Sequence, residues 1–316
     1  MLWICLAIMN PPLIQSNLFK RLHFKQIMPR DYYKLIETPL GTFSLQQKLG
    51  GKGDNWLGKN QDDKTHYVVF KFDTGSSQFN REAVALTCLG QSGNHPNITT
   101  PLGEYSDSDG NYLMLAHIPG RSLNRIKTNQ NPQSLRVLLP VLDALDHCAR
   151  SGVVHNDLKP ENLVVQLSGS RYQSAHVVVV DFGSSEHVTQ PPSLIIYGSP
   201  IYIAPERFNL NNKPHIRSDL FSVGSIGCKL LTGMGPYAQT TTEVFRCVDD
   251  LIMMRAKQID PRTINRRISP RLNAVLRKSV TVDPDKRFQE PRELKAALED
   301  VLTDRSWFSL SLRRNC

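Results

Sequence analysis

The stretch VVHNDLKPENLVV, residues 153–165, packs His155, Asp157, Lys159 and Asn162 into a short polar loop between a helical and a strand-like apolar pattern. Such a loop concentrates reactive groups. Asp157 is suited to accept a hydroxyl proton, Lys159 to balance charge on a moving phosphoryl group, and Asn162 to offer a carbonyl oxygen to a hard cation. A plain proline-containing turn capped by Asp and Asn has a similar composition, so the flanking sequence has to decide. VVVVDFG, residues 177–183, follows as a buried apolar run ending in turn residues. A carboxylate at Asp181 can hold magnesium, and the metal in turn can bridge and neutralise phosphate oxygens.

Upstream, the pattern is strand-like from about Thr42. FSLQQKLG (43–50) alternates, and THYVVFKF (65–72) is a short apolar strand carrying Lys71. Between them LGGKGDNWLG (49–58) places glycines where backbone N–H groups can approach phosphate oxygens, although ordinary hairpins use glycine as well. FNREAVALTCLGQ (79–91) has helical spacing, with Phe79, Val84, Leu86 and Leu89 expected on one face and Glu82 among them. Each of Lys71 and Glu82 also reads as an ordinary surface charge, and spacing alone does not decide; together they could form an ion pair that holds an ammonium against phosphate. GNYLMLAHI (110–118) is a further strand. Beyond residue 130 helices dominate, in SLRVLLPVLDALDHCARSG (134–152), SDLFSVGSIGCKLLTG (218–233) and RELKAALEDVLTD (292–304). The shift from strands to helices near His117–Gly120 marks a lobe boundary and a cleft, a common ligand site.

The 316 residues suffice for one large domain or two packed lobes, and no fixed-period repeat supports a solenoid. The net charge of +9 collects at the ends: six Lys/Arg against two acids in residues 1–48, and fifteen against eight in 255–316. The middle is slightly acidic, and no basic run interleaved with aromatics points to nucleic acid. Six scattered cysteines form no C-x-x-C pair, which fits a reduced, cytoplasmic setting. The apolar opening LWICLAIMNPPLI (2–14) is too short to span a bilayer and lacks a secretory leader's basic start. It reads as a docked extension, with a membrane-interface anchor helped by Lys20, Arg21 and Lys25 as the second reading.

In order, the Gly-rich loop, VVFK, Glu82, HNDLKPEN, DFG and GSPIYIAPE (198–206) resemble the signature set of protein kinases of the serine/threonine type. The resemblance runs from about Phe43 to Leu302. It implies an α+β, bilobal fold with a small β-rich N-lobe (42–118) and a larger helical C-lobe (119–303), between an extension (1–41) and a tail (304–316). It implies ATP and Mg²⁺ as cofactors and a protein substrate with a Ser or Thr acceptor. ATP would meet Leu49, Gly50, Gly51, Gly53, Lys71 with its partner Glu82, the hinge from Ala116 to Ile118, and Asp181. Asn162 and Asp181 would hold the metal; Asp157, Lys159 and Asn162 would be catalytic. Asp219 would anchor the catalytic loop, and Arg287 of DPDKRF (283–288) would pair with Glu206.

Three departures from the family pattern stand out. The first glycine of the phosphate loop is Lys48 and the valine over adenine is Asn55. The arginine before the catalytic aspartate is Asn156. Eleven positions separate Lys71 from Glu82, which implies a short connection. The altered loop is what supports a pseudokinase scaffold as the alternative. Because Asn156 is neutral, the activation segment, Asp181 to Glu206, is expected to work without phosphorylation; Arg81 is the cation that would otherwise substitute across space.

Overall fold

The computed structural model describes residues 34–49, 54–108, 110–167, 175–191, 200–209, 211–237 and 258–303. Alternating sequences build its first layer. Strands β1 (Leu35–Thr38), β2 (Gly41–Lys48), β3 (Asp54–Asn60), β4 (Tyr67–Phe72), β5 (Pro101–Asp107) and β6 (Gly110–Ala116) form an antiparallel sheet in the order β1-β2-β3-β4-β6-β5. Successive side chains face opposite ways. Val68 and Phe70 therefore join Tyr112 and Met114, with Ile36, Phe43 and Leu45, in a cluster on one face. Val69, Leu113 and Leu115 join Phe79, Leu86 and Leu89 of helix α1 (Ser77–Gln91) on the other. Lys71 has the parity of Val69 and pairs in register with Leu113, which turns its ammonium toward α1. Gly58 makes way for an aromatic ring, since a Cβ there would lie 2.4 Å from Phe70.

Two expectations are corrected. The sheet begins at Leu35, inside the stretch 1–41 read as an extension, because Gly41 turns the chain at φ +115° and pairs Ile36 with Phe43, both buried. Val84 is 45% exposed rather than on the packed face of α1; five residues past Phe79 it lies about 140° around the helix.

The larger lobe is helical: α2 (Leu138–Arg150), α3 (Ile216–Thr232), α4 (Pro270–Ser279) and α5 (Pro291–Thr303). The apolar period of α2 runs back to Ser134, but the α-helix starts at Leu138, after a 3₁₀ turn at Pro132–Val137. Pro140 then sits in the first turn, where its missing N–H costs no bond. Two small sheets line the cleft side. β7 (Arg121–Ser122), β9 (Leu163–Gln166) and β10 (His176–Val179) form one, and β8 (Val153–Val154) with β11 (Glu186–His187) forms the other. The link after α1 is stitched to the end of β10, with Thr99 N donating to Val179 O at 3.0 Å and Val179 N to Asn97 O at 2.8 Å.

Arg287, 2% exposed, locks the end of the activation segment. Its Nη1 and Nη2 donate to Glu206 Oε1 and Oε2 at 2.8 and 2.6 Å. The remaining donors reach the carbonyls of Thr281, Arg217 and Val282 at 2.6, 3.1 and 2.9 Å. All five guanidinium N–H groups are thus used. Burial pushes the Glu206 carboxyl upward, but Arg287 outweighs it and holds the pKa below the ordinary 4.5. A depressed carboxylate adds stability that is complete above its ordinary pKa and lost as pH falls through the folded value. Removing one partner of a buried pair strands the other. Arg287→Ala is expected to cost about 3–5 kcal/mol in urea unfolding at pH 7, and to flatten the part of the acid-unfolding slope below pH 4.5 that Glu206 supplies in the wild type.

Candidate active site

Three elements bring the predicted residues together in the cleft. Lys71 leaves β4 toward α1, where its Nζ forms an ion pair with Glu82 Oε2 and a second one with Asp181 Oδ1 at 2.9 Å. The eleven-residue spacing works because only Asp73–Ser76 separate β4 from α1, which puts Glu82 in the second helical turn. The other Glu82 oxygen, Oε1, accepts the backbone N–H of Phe182 at 3.3 Å. One buried carboxylate therefore fixes both the lysine and the DFG turn. Burial works against the Lys71 ammonium, yet Glu82 and Asp181 outweigh it and hold its pKa above the ordinary lysine value. Burial also opposes the Asp181 charge, but Lys71 keeps that carboxyl below its usual range. Both groups are charged at neutral pH.

The catalytic loop is held from below. Asp219, fully buried on α3, accepts the backbone N–H groups of His155 and Asn156 at 2.7 and 2.9 Å. The His155 ring reaches Val180 O at 3.2 Å and lies 4.7 Å from the Phe182 ring, tying this loop to DFG. Asn156, one step before Asp157, and the site residue Asp181 both have φ +65°. Asn and Asp are the non-glycine residues that best tolerate this left-handed region. Asp157 Oδ2 accepts from Lys159 Nζ at 2.5 Å, while its Oδ1 is buried without a hydrogen-bond partner. Asn162 donates its Nδ2 to Asp157 O at 2.9 Å and its backbone O accepts from Val180 N at 3.0 Å. With the NH₂ end engaged, the amide oxygen is the atom left for a cation.

The remaining candidates divide. Leu49 closes the stem of the phosphate loop by donating its N–H to Asn55 O at 2.7 Å, and Lys48 crosses that stem to Asp54 at 2.6 Å. Gly50, Gly51 and Gly53 lie outside the described residues. Asn55 pairs across the strands with Lys71, and its Oδ1 is buried without a partner. Ala116 commits its N–H to Thr100 O at 2.9 Å and Ile118 follows two residues on. Among the described residues no group of three His, Cys, Asp or Glu is arranged to hold a metal alone. Asp181 and Asn162 supply hard oxygens, the donor type of Mg²⁺, an ion that usually takes its other ligands from phosphate and water.

A family model described as protein kinase domain matches residues 49–300. The chain belongs to that family. Its curated relatives include a probable serine/threonine-protein kinase of Clostridium perfringens, 28% identical over 72% of this chain and 32% of that one. The serine/threonine-protein kinases pkn3 of Myxococcus xanthus and PknD of Mycobacterium tuberculosis are 29% and 27% identical, over 76% and 85% of this chain and 44% and 41% of theirs. The chain thus spans less than half the length of these relatives. Among solved structures, the Cydia pomonella Granulovirus kinase PK-1 shares the fold, with a TM-score of 0.65 and 20% identity over 80% of this chain and 92% of that one. The expected protein kinase domain and its bilobal fold are therefore the ones found.

Two residues of this kinase domain escaped the sequence reading. Glu186 and Arg207 meet at 3.0 Å beside the catalytic loop. Each is ordinary in its local sequence, and only the fold makes them neighbours. For the lysine pair, Glu82→Gln is expected to lower the melting temperature, since it takes a buried anionic partner from Lys71. Phosphoryl transfer should fall about tenfold or more, because Lys71 then leans wholly on Asp181; initial rates and thermal melting on one preparation check both.

Proposed function

We propose that this domain transfers the γ-phosphoryl group of ATP to serine or threonine hydroxyls of proteins. The carrying observation is the Asp157 carboxylate, with one oxygen held by Lys159 at 2.5 Å and the other buried and unpaired. A buried acceptor without a donor is costly to the fold, and it is the atom that an incoming hydroxyl would meet. Asp157 orients the hydroxyl and takes its proton as the new O–P bond forms and the bond to the departing ADP oxygen breaks. Lys159 sits where charge on the transferring group needs balancing, and its presence supports a serine/threonine acceptor. Lys71, steadied by Glu82, would contact the α- and β-phosphates. The loop of Leu49, Gly50, Gly51 and Gly53 would cover the phosphates, and the backbone of Ala116 and Ile118 would read the adenine. Asn162 and Asp181 would hold Mg²⁺, which when bound supplies neutralisation of phosphate charge.

The two aspartates separate experimentally. Asp157→Asn is expected to keep the affinity for Mg-ATP within about threefold while transfer to casein falls about a hundredfold or more, because ground-state phosphate contacts remain. Asp181→Asn is expected to lose the magnesium-dependent part of ATP binding. Phosphoamino-acid analysis of the labelled casein should give phosphoserine and phosphothreonine; wild-type turnover in both variants, or mainly phosphotyrosine, counts against the reading.

A further inference from the structure

Glu186 opens β11, in register with Val154 of β8, one residue before the catalytic loop. Its side chain is buried, 6% exposed, and three parts of the molecule converge on it. Arg207 Nη2 lies 3.0 Å from Oε2, and Arg81 Nη1 of α1 lies 3.9 Å from Oε1. Asn156 Nδ2 donates to Oε2 at 3.2 Å and also to Ser184 O at 3.3 Å. Each of these partners is the chain neighbour of a residue already placed in the machinery: Arg81 precedes Glu82, Asn156 precedes Asp157, and Arg207 follows Glu206. A buried carboxylate between two guanidiniums is an anchor that either cation alone does not replace.

We propose that Glu186 is a positioning residue whose carboxylate, part of the activation segment itself, holds α1, the catalytic loop and the segment's end in their working arrangement, so that no phosphate on the segment is needed. This rests on the kinase activity proposed above. The arrangement is the inverse of a phosphate switch, in which an added anion orders a loop against waiting arginines. Here the anion is encoded: Arg207 is paired with it at 3.0 Å, and Arg81 faces it at 3.9 Å, a charge contact longer than a hydrogen bond. Ser184 and Ser185, the hydroxyls nearest in sequence, are each 4% exposed and closed to a modifying enzyme. A phosphate added beside Glu186 would also meet a like charge. The neutral Asn156 fits this scheme, since an amide donates to a carboxylate while leaving the pairing charge to the two arginines.

The test uses the full 316-residue chain, treated with phosphatase and verified by mass spectrometry to carry no phosphate between residues 181 and 206. Treated wild type is expected to keep its casein-phosphorylation rate within about twofold. Glu186→Gln, nearly isosteric, should lower kcat about tenfold to a hundredfold while KM for ATP stays within about threefold, because the Lys71–Glu82 pair is untouched. Glu186→Asp should restore part of the loss. Arg207→Gln should act in the same direction, and the double variant should be no worse than the poorer single one, as expected of one shared interaction. Amide hydrogen exchange over residues 153–158 should rise in Glu186→Gln, a readout that needs no turnover. The proposal is overturned by a Glu186→Gln variant with near-wild-type kcat, by equal changes in kcat and KM with a general loss of melting temperature, by unchanged exchange over the catalytic loop, or by wild type that phosphatase inactivates. Wild type that transfers nothing before or after treatment fails the activity reading instead, and the exchange measurement still decides the role of Glu186.

Discussion

The Asp219 carboxylate lies wholly inside the helical lobe and accepts two backbone N–H groups, from His155 at 2.7 Å and Asn156 at 2.9 Å. Burial pushes its pKa upward, while those two bonds, with the nearby His155, pull the other way. A buried acceptor is tolerable only while its donors stay in place, so the helix that carries Asp219 dictates the path of the loop. That path forces Asn156 to φ +65° and sends Asp157 out of the loop toward the cleft. The same rigid frame supports α3 from behind. Gly224 lets α4 approach so closely that a Cβ would stand 2.5 Å from the Ser279 side chain. Tight helix packing and the aim of one carboxylate are thus a single problem of geometry.

The β-rich lobe reaches the site by a different rule. Strand parity alone sends Lys71 to the α1 side of the sheet, and the four residues after β4 are enough to bring Glu82 to meet it. Because Glu82 also accepts the Phe182 N–H, the lysine, the helix and the DFG turn rise or fall together. The His155 ring against Phe182 joins this group to the catalytic loop.

Local sequence revealed the parts whose chemistry is compact. HNDLKPEN carries several polar residues at fixed short offsets, VVVVDFG sets one carboxylate at the end of an apolar run, and the Arg287–Glu206 pair expected from DPDKRF and GSPIYIAPE forms with every guanidinium donor satisfied. Edges and long-range neighbours were harder to read. β1 is a four-residue strand whose partner is supplied by a hairpin at Gly41, so its pattern is too short to announce itself. Val84 is apolar and sits in an apolar helix, and only counting the angle from Phe79 separates it from the buried stripe. Glu186 and Arg207 are 21 positions apart in sequence, joined by nothing but tertiary contact.

Asn156 shows how one substitution can be read as a loss and still be consistent with the rest of the molecule. Replacing a guanidinium by an amide removes a charge from beside the catalytic aspartate, and a phosphate would find a poor partner there. The position, however, is left-handed, where an asparagine's short polar side chain is tolerated better than a long one. The amide meanwhile donates to Ser184 O and to Glu186 Oε2, two acceptors of the activation segment. Positive charge is present nearby in Arg81 and Arg207, supplied from α1 and from the residue after Glu206. Cation and anion have in effect been redistributed: Arg81 and Arg207 supply the positive charge missing from the loop, and the anion they face is a carboxylate already built into the segment. Local backbone preference and long-range electrostatics then favour the same arrangement, and such agreement between levels is what a stable, uniquely arranged site requires.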